Sequence, residues 1–484
     1  MVRNRKKSKS HIIMILDSNS ASGGYEIANS LKLEQDNTEY LHKTPTSSGN
    51  RRTFTLSAWI KRTESDRGSG GGDYIFQAGD GDYNQSDRTL LKFNHDDTIY
   101  WGGGSAYEIK TNRIFRDTSA WYHIAMIVDT TDSTAGDRLK LYVNGVRETD
   151  LATNTNPSQN FQYAFMKDDK HTIGYNHTDS SNPASMYIAE VVWLDGTAAS
   201  ITDLGKFDDD TGIWVPIDVS GLSVGTNGCY LDFEDSSTLG NDVSGGTDFT
   251  LNNIAAIDQA TDVPTNNFNV WTNRYNYGSS YSAAITEGGT KIAHPHASWS
   301  GAKGNYGLIN GKWYWEFTTM GNLQNVGFGI QSTTTSTSLY NHHAIQNNNT
   351  IFIGYSSLNY YYWTGGSQTS NESTGWVSGF TVGAGDVYGF ALDLDSSTKK
   401  FFLYRNGTLL NGASGTNLPT PMQDEYVSTF IGAYNGDGTR WNFGGYTSAT
   451  VSSGNSDANG YGNFEYSVPS GYYAICSKNV AEYA

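Results

Sequence analysis

Carboxylate side chains are concentrated in two acidic stretches of the sequence, "KFDDDTG" and "LDFEDSS". Carboxylate oxygens are ligands that Ca²⁺ takes in proteins, so each stretch could contribute to a calcium site, although neither has the spacing of an EF-hand loop. The alternative is a set of solvated carboxylates at strand ends, as expected in an acidic chain. The candidate ligands for Ca²⁺, the one cofactor that the sequence suggests, are Asp208, Asp209, Asp210, Asp232 and Glu234.

Aromatic side chains form two clusters that could bind carbohydrate, "TIYWGGG" and "NYYYWTGG". Sugar rings stack on Tyr and Trp, while neighbouring Asn and Asp side chains bind the hydroxyl groups. Successive strand residues point to opposite faces, so part of the second cluster packs inside and the rest can face a ligand. Burial in the core is the alternative for each single ring. The candidate ligand-binding residues are Tyr100, Trp101, Tyr360, Tyr361, Tyr362 and Trp363.

Catalytic motifs are missing from the sequence, so we predict that the protein is not an enzyme. It has no Gly-x-Ser-x-Gly elbow, no His-Glu-x-x-His and no Walker-type loop. The two cysteines, Cys229 and Cys476, are far apart and have no CxxC partner. Their spacing argues against a disulfide framework or a zinc site and fits synthesis in a reducing compartment.

The net charge of −17 is unevenly distributed along the chain. Basic residues are clustered in the first nine positions, and the acidic remainder lacks the basic surface that nucleic-acid binding requires. The apolar run that follows, Ile12–Leu16, is shorter than that of a signal peptide, and no stretch is long enough to span a membrane. We therefore predict that residues 1–24 form a disordered or docking arm, with docking contacts through Arg3, Arg5, Lys6, Lys7 and Lys9.

Short runs of alternating apolar and polar residues, separated by Gly, Asn and Asp, cover most of the chain. In "TFTLSAWIK" the alternation predicts a strand whose core face holds Phe54, Leu56, Ala58 and Ile60. Helical periodicity is nearly absent, with Ala199–Phe207 as the best candidate. Short strands at close spacing predict an all-β fold built from antiparallel sandwiches.

The pattern Leu-Tyr-Xaa-Asn-Gly occurs twice, at Leu141–Gly145 and at Leu403–Gly407. Asn-Gly after an alternating run is a strong hairpin signal, because a type I′ turn needs positive φ at both central residues. The two copies predict one hairpin in each half of the chain. The strand before the second copy is apolar on both faces, so Phe402 and Tyr404 are candidates for contact with another segment or another subunit.

Two parts of the chain resemble known β-sandwich families. Residues 25–215, with "FTLSAWIKR" and "RLKLYVNGV", resemble a laminin-G-like domain of the concanavalin A-like lectin/glucanase superfamily. Residues 268–466, with "GKWYWEF" and "GDVYGFALDLDSSTKKFFLYRNG", resemble a SPRY domain. The resemblance implies two concanavalin-like antiparallel jelly-roll sandwiches in tandem after a short N-terminal arm. Residues 216–267 are then an ordered connection with a boundary near Pro264, and residues 467–484 are a C-terminal tail.

The resemblance also implies a function. The domain order is similar to that of virion proteins of marine bacteriophages, which implies a non-enzymatic fibre, spike or capsid decoration, made in the host cytoplasm and displayed on the virion surface. Other virion proteins would bind the arm, and the sandwiches, in a homo-oligomer, would bind host surface glycans or partner proteins. Partners of SPRY domains dock on end loops, here 339–349 and 361–379. Lectins of the superfamily often hold Ca²⁺ at the sandwich rim.

Three other functions are compatible with the sequence. The chain could be a free carbohydrate-binding adhesin, or a purely structural capsid or tail decoration without a ligand. A glycan-cleaving enzyme is the third, but glucanases of this superfamily carry Glu-x-Asp-x-x-Glu, and this sequence lacks that spacing. Retaining hydrolysis requires two carboxyl groups about 5 Å apart, and the sequence nominates no such pair.

Overall fold

The computed structural model describes most of the chain. The described residues are 24–64, 71–80, 87–103, 108–179, 181–272, 284–293, 299–321, 326–333, 349–354, 359–364, 367–372, 383–434 and 438–484. The predicted docking residues Arg3, Arg5, Lys6, Lys7 and Lys9 lie outside them. The short 3-10 helices of the described part are Gln35–Asn37, Ala135–Asp137, Ile201–Asp203, Ala256–Asp258 and Thr420–Met422, and its α-helix is Ser477–Tyr483. No helix in these ranges is long and apolar enough to cross a membrane.

The first half of the chain is a sandwich of short antiparallel strands. In chain order they are β1 (Ser30–Leu33), β2 (Tyr40–Lys43), β3 (Thr53–Arg62), β4 (Gly72–Ala78), β5 (Thr89–Asn94), β6 (Thr98–Gly102), β7 (Glu108–Ile114), β8 (Trp121–Asp129), β9 (Leu139–Val143), β10 (Val146–Arg147), β11 (Leu151–Thr155), β12 (His171–Ile173), β13 (Met186–Asp195), β14 (Lys206–Phe207), β15 (Trp214–Val215), β16 (Cys229–Leu231), β17 (Thr250–Asn252) and β18 (Gln259–Ala260). Sheet A has the order β10-β9-β8-β3-β13-β1-β18, with β16 beside β13, and sheet B has the order β11-β7-β6-β5-β4-β12-β2-β17.

The core of this sandwich lies between sheets A and B. The predicted core face of β3 is confirmed, because Phe54, Leu56, Ala58 and Ile60 all lie in the buried cluster. Burying large apolar side chains removes their surface from water, which is the main term that holds two such sheets together. The best helix candidate of the sequence, Ala199–Phe207, makes one 3-10 turn and then pairs as β14 with β15.

The predicted connection, residues 216–267, is built into the first sandwich. Strand β16 pairs with β13 in sheet A, β17 pairs with β2 in sheet B, and β18 pairs with β1. The side chains of Phe233, Leu239 and Phe249 complete the first core. The connection thus extends both sheets of the sandwich that precedes it.

The second half of the chain forms another pair of sheets. Its strands are β19 (Trp271–Thr272), β20 (Ala284–Thr286), β21 (Lys291–Ala293), β22 (Trp299–Gly304), β23 (Lys312–Thr319), β24 (Val326–Ser332), β25 (Thr350–Gly354), β26 (Asn359–Thr364), β27 (Ser367–Glu372), β28 (Val387–Asp393), β29 (Lys400–Arg405), β30 (Thr408–Leu409), β31 (Thr416–Asn417), β32 (Val427–Tyr434), β33 (Thr439–Asn442) and β34 (Tyr473–Ala474). Sheet C has the order β19-β22-β32-β24-β25-β26-β27. Sheet D has the order β20-β21-β33-β23-β28-β29-β30, with β31 beside β29 and β34 parallel to β23.

The C-terminal segment covers the outer face of sheet D. Phe402 and Tyr404, predicted to contact another segment or subunit, pack against a cluster that includes Phe464 and Tyr472 of the same chain. The rings of Phe402 and Tyr472 meet edge to face, with centroids 6.3 Å apart. Residues 467–484, predicted as a C-terminal tail, pack on the second sandwich and contribute β34 to sheet D.

Both predicted hairpins are present and share one geometry. Positive φ angles occur at Asn144 and Gly145 (47° and 76°) and at Asn406 and Gly407 (46° and 76°), as a type I′ turn requires. In each copy the Asn side chain accepts a hydrogen bond from a backbone N–H of the preceding strand of the sheet, at 2.8 Å in the first and 2.9 Å in the second. The repeated sequence therefore encodes the same turn in two different sandwiches.

The two sandwiches are joined through the outer face of sheet A. Lys61 on β3 lies 2.7 Å from both Asp262 and Asn267, in the segment that leads from β18 to β19. The hydroxyl of Tyr187 donates to the carbonyl of Gly288 in the second sandwich at 2.9 Å. The Tyr187 ring also meets that of Tyr446. Buried polar and aromatic contacts thus fasten the second sandwich against the first.

Candidate functional site: the outer face of sheet B

Sheet B has an outer face rich in aromatic, basic and amide side chains. In β4 to β6 alternate residues point into the core, including Leu91, Phe93 and Trp101, so their neighbours point outward. We define the outer face by the described residues Tyr40, His42, Tyr74, Gln77, Lys92, Tyr100, Lys110 and Thr172. By contrast, the outer face of sheet A is occupied by the junction between the two sandwiches.

A cross-strand row of alternating tyrosines and lysines runs over four strands of this face. Tyr74 pairs with Lys92, Lys92 with Tyr100, and Tyr100 with Lys110 in the sheet register. Residues directly opposite each other on adjacent strands are close enough for their side chains to interact. The Lys92 ammonium lies 5.0 Å from the ring centroid of Tyr74 and 5.7 Å from that of Tyr100, both within cation–π range.

The electrostatics of the row depend on burial and on neighbouring charges. Burial lowers the pKa of Lys92, and the nearby positive charge of Arg88 lowers it further. Lys110 forms an ion pair with Asp96 at 2.7 Å, and Arg88 forms one with Asp179 at 2.8 Å. The middle of the face thus carries three cations and two carboxylates, and Lys92 is the cation without an ion pair in the described part of the chain.

The other end of the face presents rings and neutral hydrogen-bonding groups. Tyr40 stacks on Tyr175 with centroids 4.4 Å apart, and His42 lies beside Tyr40. Gln77 donates to the hydroxyl of Thr178 at 2.5 Å. Gln77 itself is buried, but Tyr40, Tyr175, His42 and Thr178 are partly exposed. The two tyrosine rings can stack on a sugar ring, and the imidazole and hydroxyl groups can bind its hydroxyls.

The structure separates the two predicted ligand-binding residues of β6. Tyr100 lies on the outer face, whereas Trp101 is fully buried in the first core and stacks on Phe165 with centroids 5.5 Å apart. The prediction for Trp101 is therefore wrong, because adjacent strand residues point to opposite sides and only one can face a ligand. The same alternation in "TLLKFN" could have identified Lys92, which sequence reasoning missed.

The second aromatic cluster lies on β26 in sheet C. Tyr362 is partly buried and packs against the second core. The side chains of Tyr360, Tyr361 and Trp363 lie outside the described residues. Most of the end loops 339–349 and 361–379 also lie outside them, so these ligand-binding residues stay predictions.

The acidic stretches use their carboxylates in local turns. Asp208 accepts hydrogen bonds from the backbone and the hydroxyl of Thr211, at 2.9 and 2.7 Å, and Asp232 accepts one from the backbone of Glu234. Within the described ranges, no group of three or more Asp, Glu, His and Cys side chains is placed to hold a metal ion. Ca²⁺ binding through Asp208, Asp209, Asp210, Asp232 and Glu234 therefore stays a prediction.

Sequence reasoning also missed a buried polar cluster on the outer face of sheet A. Ser57 lies 2.8 Å from Nε2 of His123, and Glu190 lines the same small cavity. Nδ1 of His123 has no hydrogen-bond partner among the described residues, whereas a catalytic triad requires a carboxylate there. Burial lowers the pKa of His123 to about 3, so its imidazole is neutral. This cluster lacks the orienting bond of a triad.

Comparison with known proteins agrees with the fold. Residues 35–199 match the family model described as the concanavalin A-like lectin/glucanases superfamily. No curated protein matches the chain.

Solved structures similar to the chain include three from animals. A heptameric SAP-like pentraxin from Limulus polyphemus is 18% identical over 37% of this chain and 82% of its own, with a TM-score of 0.28. The SPRY domain of human HERC1 is 15% identical over 33% of this chain and 91% of its own, with a TM-score of 0.24. Domains LG4-5 of the mouse laminin α1 chain are 9% identical over 93% of this chain and 97% of their own, with a TM-score of 0.28.

Proposed function

We propose that the chain is a non-catalytic carbohydrate-binding protein displayed on the surface of a bacteriophage particle. One observation carries the binding proposal: a lectin-type sandwich, matched over residues 35–199, has an outer sheet face with aromatic rings and cations. Rings supply area for a sugar, and polar groups fix its orientation. The ligand in this proposal is a host surface glycan.

The particle role rests on the N-terminal arm and its attachment. The backbone N–H of Ile27 donates to the hydroxyl of Thr265 at 3.2 Å, and Glu26 pairs with Lys478 next to the C-terminus. The residues that directly follow the arm are therefore bound to both halves of the chain. In the proposal, the basic arm docks on other virion proteins, and the sandwiches face outward in a homo-oligomer made in the host cytoplasm.

A glycan screen of the full chain tests the binding proposal, with and without Ca²⁺ in parallel arms. Binding to at least one class of saccharide is expected. A screen without any bound saccharide would leave the purely structural alternative. Binding only with Ca²⁺ present would identify calcium as a cofactor.

Deletion of residues 1–22 tests the particle role separately. Removal of the arm is expected to abolish incorporation into particles while the thermal unfolding of the remaining chain stays unchanged. Unchanged incorporation would contradict docking through the arm. Saccharide binding by a chain that never enters particles would instead favour the free adhesin.

A further inference from the structure

Lys92 differs from the other cations of the outer face in having no anionic partner. Arg88 and Lys110 each form an ion pair with a carboxylate, at 2.8 and 2.7 Å. In the described part of the chain, the ammonium of Lys92 forms neither an ion pair nor a hydrogen bond, and its close contacts are the two tyrosine rings. A partly buried ammonium without an anion pays a desolvation penalty that a bound anion would offset.

From this geometry we infer that sheet B selects acidic saccharides, with Lys92 binding a carboxylate or sulfate group of the sugar. The inference rests on the proposed carbohydrate-binding function and specifies its ligand class. Arg88 and Lys110 flank Lys92, but each is paired with its own carboxylate, so the uncompensated positive charge of the row is that of Lys92. The carboxylates of Asp96 and Asp179, which face the same region, are already bonded to Lys110 and Arg88.

The two tyrosines hold the lysine rather than a sugar ring. Tyr74 and Tyr100 are only 5% and 9% exposed, and the ammonium of Lys92 lies over both rings. Rings covered in this way offer little area for stacking, but they restrict the position of the amine. Lys92 therefore recognises the charge of the saccharide, whereas Tyr40 and Tyr175 are the residues that stack on a sugar ring.

The ligand class follows from the chemistry of an ammonium group. An ammonium donates up to three hydrogen bonds and attracts any compact anion, so uronic or sialic carboxylates and sulfate esters fit equally. A neutral sugar would leave the charge of Lys92 without compensation. The site should therefore discriminate between a charged polymer and the same polymer without its charge.

Two matched pairs of polymers test the inference with the full chain. One pair is polygalacturonate and its methyl ester, and the other is dextran sulfate and dextran. We expect at least tenfold tighter binding of the charged member in one or both pairs, and the better pair identifies carboxylate or sulfate as the preferred group. The preference should weaken with added salt, because screening reduces the attraction.

Substitutions locate the preference on Lys92. Lys92→Gln is expected to reduce binding of the charged polymer at least tenfold, whereas Lys92→Arg retains most of it. Lys206→Gln, at an exposed lysine of β14, is the matched control and should change nothing. Thermal unfolding of each variant separates lost binding from lost folding.

Two results would overturn the inference. Equal binding of charged and neutral polymers, unaffected by Lys92→Gln, would contradict acidic selectivity and leave the proposed carbohydrate-binding function intact. Absence of binding to any saccharide, in these pairs and in the broad screen, would overturn both.

Discussion

At the scale of single residues, Glu190 combines a buried carboxyl group with a left-handed backbone conformation. It lies at a bulge in β13, with a φ of 49°, and its carboxyl group accepts a hydrogen bond from Tyr230 at 2.9 Å. Burial raises its pKa to about 8. The folded protein therefore keeps a proton on Glu190 at neutral pH, whereas the unfolded chain releases it near the ordinary value of about 4.3.

The raised pKa of Glu190 predicts a specific dependence of stability on pH. Between about 4.3 and 8 the folded state binds more protons at this site than the unfolded state, so its contribution to stability falls as pH rises. His123 acts in the opposite direction only below about 6.5, because its folded pKa is lowered. Between pH 6.5 and 8.5, Glu190 therefore contributes to the pH dependence of stability, whereas His123 does not.

Glu190→Gln should remove part of the stability loss in that interval, on the order of 1 to 2 kcal/mol. Denaturant unfolding at pH 6.5 and 8.5 measures it. Burial also raises the pKa of Glu39, to about 7. Because Glu39 is present in the unmodified chain and in Glu190→Gln, its contribution to the pH dependence cancels in the comparison. Glu482→Gln, at an exposed site, is the control. An unchanged pH dependence in Glu190→Gln would show that this carboxyl group does not carry the effect.

At the scale of elements, the hairpins can be tested through their glycines. Gly407 and Gly412 have nearly the same φ, 76° and 75°, but a Cβ at position 407 would lie 2.7 Å from Tyr466, whereas one at position 412 meets nothing within 4 Å. Gly412→Ala should therefore cost only about 1 kcal/mol for the left-handed conformation. Gly407→Ala should cost about 1 kcal/mol more, because Tyr466 must shift.

Denaturant unfolding of the two alanine variants compares these costs directly. Equal destabilisation would show that Tyr466 moves aside freely and that packing at the turn contributes little.

The elements also show how far the sequence predicts the fold. The face of β3 and the two Asn-Gly turns follow from local alternation and turn chemistry, which a single sequence contains. The bulge at Glu190 breaks the two-residue period, so no pattern identifies it. The strands of residues 229–260 are short, and their assignment to the first sandwich depends on distant partners in β13 and β2.

The same limit applies to the candidate site. Tyr100 and Trp101 are adjacent and chemically alike, and only the register of β6 against β5 decides which one faces outward. The row of Tyr74, Lys92, Tyr100 and Lys110 joins four strands. Cross-strand partners are set by pairing, so a row of this kind is not visible along the chain.

At the scale of the whole molecule, buried ion pairs lie at the junction of the two sandwiches. Lys61 is fully buried with Asp262 at 2.7 Å, and the indole of Trp121 donates to the same carboxyl group. A second cluster at the junction joins Lys32 to Glu287 of the second sandwich at 3.1 Å. Removal of one member of such a pair leaves a buried charge without compensation.

Lys61→Ala should therefore destabilise the chain by about 3 kcal/mol or more. The matched control is Arg113→Ala, which breaks a more exposed ion pair with Glu148 and should cost at most about 1 kcal/mol. Denaturant unfolding measures both, and limited proteolysis near Pro264 reports opening of the junction. Equal effects of the two substitutions would contradict a stabilising role for the buried pair.

The central claim is that sheet B binds carbohydrate. The most direct test is to measure the saccharide affinity of a variant altered on the outer face of that sheet. The variant combines Tyr40→Ala with Lys110→Ala, and the best saccharide from the screen is titrated into it, the unmodified chain and the Lys206→Gln control. We predict at least a tenfold loss of affinity in the outer-face variant and none in the control. Unchanged affinity in a folded outer-face variant would place the binding site elsewhere and contradict the account.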